Sequence, residues 1–306
     1  MELEFIKMHG LGNDFIFVDD LSAEIELTEE QVRGLCERHF GIGADGVILV
    51  RPPQTKGSLA YMHYINADGS LAQMCGNGVR CFAKYLVDRG FADIPSGMLT
   101  AGTMAGERDI RFEVDSAGKM VSATVDMGSP ELDPVQVPVY LTSNAVAPDG
   151  SPCVREALLD SPWGPFPFTC VSMGNPHGVC FVDDWDQLPD GLFTDATQKG
   201  LDTLRIDEIG AWYESHGAFP EKANIEFACC EGEGIAMRVY ERGCGETFAC
   251  GTGACATLVT AILTGRVEEQ APVRLLGGTL DIRWDGSGSV FMTGPASESF
   301  SGTVEV

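Results

Sequence analysis

Two cysteines, Cys75 and Cys250, stand in nearly identical sequences that lie far apart in the chain. Cys75 belongs to the stretch MCGNG and Cys250 to the stretch ACGTG, and a helical pattern follows each of them. The first turn of a helix has N–H groups without intrahelical partners, and together with the helix dipole these favour a thiolate and bind anions. The two motifs therefore predict a pair of reactive thiols, each beside a backbone anion site. The residues of these anion sites are Gly76, Asn77, Gly251 and Thr252.

The chemistry that two such thiols support is proton transfer at a carbon that carries a carboxylate. One sulfur removes a proton from one face of the α-carbon and the other returns a proton to the opposite face, which inverts the centre. Cysteine has a free pKa of about 8.5, so it can act as both acid and base. Oriented N–H donors on the carboxylate would stabilise the carbanion in a dry site. No pyridoxal-binding motif is evident, and we expect neither a cofactor nor a metal.

The cysteine motifs belong to a longer internal duplication. A constant offset of 175 residues aligns Cys75 with Cys250 and Gly90 with Gly265 without a gap. A chain of 306 residues can bury two ordinary cores. We therefore expect two related domains. The N-terminal domain comprises residues 1–128, completed by residues 293–306, and the C-terminal domain comprises residues 129–292.

Local patterns predict three helices and a larger number of short strands. Thr28 and Gln31 form a capping box before a helix that runs into Cys36. Helical spacing of apolar residues predicts two further helices, one from Cys75 to Gly90 and one that begins at Cys250. Residues 147–167, rich in proline, glycine and aspartate, are predicted to form a surface loop. Strands are predicted at 15–18, 47–50, 60–65, 120–125, 179–182, 225–228, 235–239, 273–276 and 289–293.

Composition excludes several classes of partner. The formal charge of −25 and the pI of about 4.4 argue against nucleic acid, which needs clustered lysine and arginine. The N-terminus has no basic region followed by a long apolar stretch, and no window has the roughly 18 apolar residues of a membrane helix. We expect a cytoplasmic protein that binds a small-molecule amino acid and has no membrane partner.

The chain has eleven cysteines, most of them outside the two motifs. In a reducing cytosol such residues are expected to be small buried hydrophobic side chains rather than disulfides. This expectation applies to Cys36, Cys81, Cys153, Cys170, Cys180, Cys229, Cys230, Cys244 and Cys255.

Several long motifs, taken in order along the chain, match those of one enzyme family. They are FIKMHGLGNDF at 5–15, GIGADG at 41–46, INADGS at 65–70, MCGNGVRC at 74–81, SMGNPH at 172–177, YERGCGET at 240–247 and ACGTG at 249–253. On these motifs, over essentially its full length, the chain resembles the bacterial diaminopimelate epimerases. They belong to a pyridoxal-independent group that also contains proline racemases and phenazine-pathway isomerases.

The resemblance implies an α/β fold of the α+β type. Two pseudo-symmetric domains would each wrap a mostly antiparallel sheet around a central helix, with the active site in the interdomain cleft. It also implies that Cys75 and Cys250 are the catalytic acid/base pair, and that His177 and Glu241 modulate the pKa values of these thiols. The substrate-binding residues that it implies are Asn13, Asn66, Gly76, Asn77, Asn175, Asn224, Glu241, Arg242, Gly251 and Thr252. The planar fork of arginine suits a distal carboxylate.

Three positions depart from the family pattern. Gly46 stands where some members have a glutamine that contacts the substrate, so that contact is expected to come from backbone or to be absent. The stretch NIEF at 224–227 carries Ile and Glu between its family Asn and Phe, which leaves the neighbouring packing open. Phe300 stands where a tyrosine of the dimer contact is common. We expect a homodimer in which Phe300 lies at that contact.

The resemblance implies interconversion of L,L- and meso-diaminopimelate by cofactor-independent, two-base proton transfer, a step that supplies lysine and peptidoglycan synthesis. Two alternatives stay open. A related racemase would act on another amino acid, such as proline or histidine. The sequence CGN in place of the CGH of proline racemases, together with Arg242, favours a substrate with a second charged end. A non-catalytic, cysteine-rich protein that binds metal or senses thiols is disfavoured because no CxxC pair accompanies the two cysteines.

Overall fold

The computed structural model describes residues 1–72 and 74–306. Over these residues the helices are α1 (Glu29–Cys36), α2 (Gly76–Asp88), α3 (Ile206–Glu214) and α4 (Gly251–Leu263). The strands are β1 (Glu2–Gly10), β2 (Asn13–Asp19), β3 (Gly46–Arg51), β4 (Ala60–Asn66), β5 (Met98–Thr103), β6 (Gly106–Val114), β7 (Met120–Asp126), β8 (Ala145–Val146), β9 (Pro152–Cys153), β10 (Ala157–Leu159), β11 (Phe166–Ser172), β12 (Pro176–Phe181), β13 (Asn224–Glu231), β14 (Gly234–Glu241), β15 (Gly245–Glu246), β16 (Gln270–Leu275), β17 (Gly278–Arg283), β18 (Phe291–Gly294) and β19 (Ser297–Glu305). Short 3₁₀ turns lie at Ile94–Ser96, Trp185–Gln187, Asp190–Leu192 and Leu201–Thr203.

The described residues divide into two compact units. Unit 1 comprises Met1–Asp126 and Thr293–Val306, and unit 2 comprises Met127–Met292. In unit 1 the strands pair in the order β19-β1-β2-β3-β4-β5-β6-β7. The pairs β2/β3 and β4/β5 are parallel and the others are antiparallel. Unit 1 is therefore built around one mostly antiparallel sheet.

Each face of the unit 1 sheet packs against a different helix. Helix α2 contacts β1, β2, β5 and β7, so strands from across the sheet surround it. Successive side chains of a strand point to opposite faces. Phe15 of β2 accordingly lies beside Gly78 of α2, whereas Ile16 belongs to the core cluster that contains Val32 and Leu35 of α1. The sheet thus has α2 on one face and α1 on the other.

Unit 2 repeats this arrangement. Its strands pair in the order β10-β11-β12-β13-β14-β16-β17, with β12/β13 and β14/β16 parallel, and β15 also pairs with β14. Helix α4 contacts strands across this sheet, from β11 to β17, and α3 packs on β13 and β14. Ile209 and Tyr213 of α3 share a core cluster with Phe168 and Phe227. Each unit therefore has a sheet around one central helix.

The correspondence between the units confirms the internal duplication predicted from sequence. Helices α2 and α4 each have thirteen residues and begin at the constant offset. Each unit has the same order of strand pairings at its centre. One antiparallel pair, β3/β4 in unit 1 and β13/β14 in unit 2, has a parallel pair on either side. The α+β fold with two pseudo-symmetric domains is thus confirmed.

Most of the predicted elements are confirmed. Thr28 caps α1 through a complete capping box with Gln31. Cys75 and Cys250 are the N-cap residues of α2 and α4, although α2 ends at Asp88, before the predicted Gly90. All nine predicted strands overlap observed ones. Long stretches of β1, β6, β17 and β19 were not predicted, because their exposed charged and polar residues hide the apolar alternation.

Two predictions are wrong. Residues 147–167 do not form a plain surface loop, because they contain β9 and β10 and bury Val154 and Leu159 in the core. Among the cysteines expected to be buried, Cys230 and Cys244 are exposed and Cys229 is only partly buried. Cys229 and Cys230 lie near the end of β13, where the strand leaves the core. None of the described helices is long and apolar enough to cross a membrane.

Candidate active site

Cys75 occupies the junction between strand-like backbone and the buried helix α2. Its φ of −138° and ψ of 121° are extended, and its carbonyl accepts the first helical hydrogen bond from the Val79 N–H at 2.8 Å. The half-buried thiol lies 3.5 Å from Oδ1 of Asn13, to which it can donate. Gly76 and Asn77, in the first turn, are buried. Unit 1 thus places a thiol, an amide and helix N–H groups together.

Cys250 has the same position at the start of α4. It is 4% exposed and has extended backbone at φ −114° and ψ 106°. Its Sγ accepts from the N–H of Gly253 at 3.4 Å and lies 3.5 Å from Oγ1 of Thr252. Gly251 is buried in the same turn. The N-terminus of α4 therefore contacts this sulfur directly.

The second glycine of the Cys-Gly-x-Gly motif is sterically required in only one of the two copies. A Cβ on Gly253 would lie 2.7 Å from Oε1 of Glu226 and 3.3 Å from Sγ of Cys250. A Cβ on Gly78 would meet only ordinary contacts, the nearest being Ile48 at 3.4 Å. The lack of a side chain at Gly253 thus leaves space for the Glu226 carboxylate close to the Cys250 sulfur.

His177 and Glu226 form a fully buried pair on the adjacent parallel strands β12 and β13. Nδ1 of His177 lies 2.6 Å from Oε1 of Glu226, and Nε2 lies 3.1 Å from Oδ1 of Asn175. Oε2 of Glu226 has no hydrogen-bond partner among the described residues. Sequence reasoning treated Glu226 only as a packing question. The signal that was available is a glutamate within the apolar run IEFA, where an unpaired charge would be costly.

Burial and negative charge hold the Cys250 thiol in its protonated form. Burial raises the pKa of Cys250 well above its usual range, and the Glu241 and Glu226 carboxylates raise it further. The hydrogen bond with Thr252 opposes this shift. Burial also raises the pKa of Glu226, while His177 lowers it. Burial and the two carboxylates therefore favour the neutral thiol of Cys250 over its thiolate.

Glu241, Arg242 and Asn224 lie together where β13 begins and β14 ends. Glu241 is half-buried and accepts from the hydroxyl of Thr247. The Asn224 amide accepts from the Arg242 N–H at 2.9 Å and donates to the Pro176 carbonyl at 3.3 Å, so it fixes the backbone at both ends. The exposed Arg242 guanidinium donates to the Glu221 carbonyl at 3.1 Å.

The remaining predicted residues lie in unit 1. Asn66, at the end of β4, donates its side-chain amide to Oγ of Ser70 at 3.0 Å. Phe300 lies on β19 and is 50% exposed. A Cβ on Gly46 would lie 2.5 Å from both the Ile65 carbonyl oxygen and the Tyr64 ring. A side chain at Gly46 would therefore require the Ile65 backbone and the Tyr64 ring to move.

Each unit therefore gathers part of the predicted site. Unit 1 brings Cys75, Asn13 and Asn77 into one hydrogen-bonded group. Unit 2 brings Cys250 together with Glu241 and Thr252. Asn66, Arg242 and Phe300 have no hydrogen bond to either cysteine in the part of the chain described. The roles assigned to these residues stay predictions.

Comparison with known proteins agrees with this organisation. The family model described as diaminopimelate epimerase matches residues 5–132 and 169–298. A diaminopimelate epimerase of Leptospira biflexa is 40% identical over 307 residues, which cover 100% of both chains. Those of Desulfitobacterium hafniense and Synechococcus elongatus are each 42% identical, over 99% and 100% of this chain and 98% and 99% of their own.

Solved structures with low sequence identity share the fold. A hydroxyproline epimerase from Agrobacterium vitis superposes with a TM-score of 0.66 at 15% identity, over 99% of this chain and 92% of its own. A predicted epimerase from Pseudomonas aeruginosa gives a TM-score of 0.63 at 15% identity, over 99% of both chains. The full-length relatives and the family model together establish that the chain belongs to the diaminopimelate epimerase family.

Proposed function

We propose that the protein interconverts L,L- and meso-diaminopimelate without a cofactor. The observation that carries this proposal is the full-length identity of about 40% to diaminopimelate epimerases, combined with two cysteines at equivalent helix N-termini. Cys75 and Cys250 are the acid/base pair. In one direction one thiolate removes the α-proton and the other thiol returns a proton to the opposite face, and the roles exchange in reverse.

The first turns of α2 and α4 supply the electrostatic stabilisation. The α-carboxylate would rest on backbone N–H groups of Gly76, Asn77, Gly251 and Thr252, where the helix dipoles favour negative charge. As the α-proton leaves, charge spreads onto this carboxylate and the fixed N–H donors stabilise it. Both helices are packed inside sheets, so the donors need no reorganisation.

Cys250 and its acidic neighbours suit the proton-donating half of the reaction. Glu241 and Glu226 favour the neutral thiol, so Cys250 holds a proton until a carbanion forms beside it. His177 offsets the Glu226 charge through their 2.6 Å contact. When Cys250 becomes a thiolate, the Gly253 N–H at 3.4 Å stabilises it. We assign His177 and Glu241 to tuning the proton affinity of the cysteines.

The far end of the substrate requires groups that bind a second carboxylate and amine. We assign the distal carboxylate to Arg242, whose guanidinium has five N–H donors and uses one on Glu221. The polar side chains assigned to the rest of the substrate are Asn13, Asn66, Asn175 and Asn224.

We also propose a cytoplasmic location, because the product would supply lysine and peptidoglycan synthesis. Cell fractionation tests that location.

We also propose a homodimer formed through β19. The strand pairs with β1 on one side, and almost every residue from 297 to 305 is exposed. Exposed strand edges are ready to pair with another chain. Phe300 packs edge-on against Phe5 with ring centroids 5.9 Å apart, yet half of it faces solvent. A second copy would cover this ring.

The two-base mechanism predicts a large loss of activity for either Cys75→Ser or Cys250→Ser. A serine hydroxyl is a far weaker acid and base, so kcat should fall by about 10²–10⁴-fold. The assay incubates single stereoisomers of diaminopimelate in D₂O and follows inversion and deuterium at the α-carbon. Wild-type product should carry deuterium at the inverted centre. Cys230→Ser is the control because Cys230 is an exposed thiol outside the motifs. Full turnover by either variant, or wild-type inversion of proline or histidine instead, would refute the proposal.

The surroundings of Cys250 predict how its reactivity depends on pH. Burial is the main cause of the raised pKa of the thiol and Glu241 adds to it, so Glu241→Gln should lower the pH at which Cys250 becomes reactive. Iodoacetamide labelling of the Cys250 peptide is followed against pH in a Cys75→Ser background. Glu231→Gln removes an equal charge from an exposed ion pair and serves as control. An unchanged or higher labelling midpoint in Glu241→Gln would contradict the assignment.

The assignment of Arg242 predicts a selective loss of substrate affinity. A charge-assisted hydrogen-bonded pair contributes about 1.5–3 kcal/mol, so Arg242→Ala should lower kcat/KM roughly 10- to 150-fold. Arg242→Lys should lose less but not recover fully, since an ammonium lacks the fork. Arg274→Ala, which breaks a half-exposed pair with Glu231, is the matched control. Near-normal kcat/KM in Arg242→Ala would show that another group binds the distal carboxylate.

The dimer proposal predicts that a charge at Phe300 separates the copies. Phe300→Asp would bury a carboxylate against the apolar contact, which is unfavourable without a partner. Sedimentation velocity at micromolar concentration should show a dimer for the wild type and a monomer for this variant. Val135→Asp alters a more exposed apolar residue in unit 2 and should stay dimeric. A monomeric wild type, or a dimeric Phe300→Asp, would refute the proposed contact.

A further inference from the structure

A continuous chain of hydrogen bonds runs through unit 1 beside Cys75. Nη2 of Arg80 donates to Oδ1 of Asn77 at 2.9 Å, and Nδ2 of Asn77 donates to Oδ1 of Asn13 at 3.1 Å. Nδ2 of Asn13 then donates to Oδ2 of Asp45 at 2.6 Å. The sulfur of Cys75 joins the chain at Oδ1 of Asn13, 3.5 Å away.

The two ends of this chain determine its direction. Arg80 is fully buried, and a guanidinium can only donate, so the Asn77 oxygen must face it. Asp45 receives the Asp14 N–H at 3.1 Å on Oδ2 and the Arg38 guanidinium at 2.7 Å on Oδ1. An ionised carboxylate that already meets these donors can only accept. The Asn13 amide nitrogen must therefore face Asp45 and its oxygen must face Cys75.

Hydrogen-bond donors, rather than the charges around it, hold Asp45 in the accepting role. Burial and the neighbouring Asp14 carboxylate raise the pKa of Asp45, and hydrogen bonds from the Asn13 amide and the Asp14 N–H oppose the rise. Burial alone would raise the pKa of Asp14, but Arg38 and Lys7 hold it below its ordinary value. The charged and titratable groups linked to the chain of hydrogen bonds or to α2 beside it include Arg80, Cys81 and Lys84 on α2, together with Asp14, Asp45, Lys7 and Arg38.

An amide oxygen and an amide nitrogen have opposite effects on a thiol. An oxygen acceptor accommodates the S–H proton and disfavours the thiolate, whereas an N–H donor in its place would stabilise the thiolate. Removal of a weakly acidic α-proton requires a base that keeps a high proton affinity. If the Asn13 amide could turn its N–H toward Cys75, it would stabilise the thiolate and so lower the proton affinity of that sulfur.

We propose that Asp45 and Arg80 are positioning residues that lock the Asn13 oxygen toward Cys75 and so preserve the proton affinity of that thiol. This inference rests on the proposed function, which assigns Cys75 to the acid/base pair. The locked geometry itself follows from Arg80 at one end and Asp45 at the other. Neither residue touches the substrate in this proposal; both act through the two asparagines.

The test measures the ionisation of Cys75 directly, without substrate. In a Cys250→Ser background, iodoacetamide labelling of the Cys75 peptide is followed against pH. Asp45→Asn replaces the obligatory acceptor with an amide that can also donate, which weakens the lock at that end, while Arg80 and the Asn77 N–H still favour the original direction. The labelling midpoint should fall in this variant by up to about one pH unit, which corresponds to as much as about tenfold faster labelling below the midpoint. Arg80→Gln releases the other end, and the double variant should shift the midpoint by more than the sum of the single shifts.

The control is Asp14→Asn, which removes an equal charge from the same cluster and leaves the Asp45 contact with the Asn13 amide. A midpoint shift in Asp45→Asn no larger than in Asp14→Asn would overturn the proposal. A faster reaction at every pH with an unchanged midpoint would overturn it too, since it indicates only a looser site. If Arg80→Gln does not fold, the comparison of Asp45→Asn with Asp14→Asn still decides. Labelling needs no turnover, so its result is separate from the deuterium assay of the proposed function.

Discussion

The structure depends on one constraint, repeated in each unit: a cysteine ends an extended segment and caps a helix buried inside a sheet. Cys75 and Cys250 have the same extended backbone and the same thirteen-residue helices behind them. Because strands surround each helix, its first turn cannot shift to suit a ligand. The sulfur and the N–H groups of that turn are therefore fixed relative to each other before any substrate arrives. Catalysis by preorganised dipoles requires that kind of rigidity.

The two cysteines lie in equivalent positions of the two units but have different electrostatic environments. In unit 1, Cys75 faces the oxygen of a neutral amide, and the nearest charges are placed at the ends of a hydrogen-bonded chain. In unit 2, Cys250 lies among carboxylates, and burial adds to their effect on its pKa. An amide oxygen thus lies beside the Cys75 sulfur, whereas burial and two carboxylates act on Cys250 against the Thr252 hydroxyl. Two thiols that must each give and receive a proton can thus be tuned by different means on one fold.

The sequence was sufficient to predict helices α1, α2 and α4, the cysteine motifs and nine of the nineteen described strands, because those features depend on neighbours close in the chain; α3 was not predicted. The capping box of α1 and the periodicity of α2 are local signals of this kind. The roles of Glu226 and Asp45 were missed because their partners are distant. Glu226 meets His177 across 49 positions, and Asn13 meets Asp45 across 32 and Cys75 across 62. No spacing rule links such residues. The parallel pairs β12/β13 and β2/β3 bring the first two pairs of residues together, and the packing of α2 on β2 brings Cys75 to Asn13.

The energetic cost of the buried polar groups supports their assignment to function. A buried ion pair or mixed pair is seldom more stable than apolar side chains of the same volume, so a fold alone does not require His177 beside Glu226. The same reasoning applies to Arg80 and Asn77 within the otherwise apolar helix α2. Asn77 lies in the first turn of α2 and bonds Arg80, and Glu226 lies against the first turn of α4 and bonds His177. Because apolar side chains would serve packing as well or better, these buried polar groups support the proposal that the surroundings of the two cysteines serve function rather than stability.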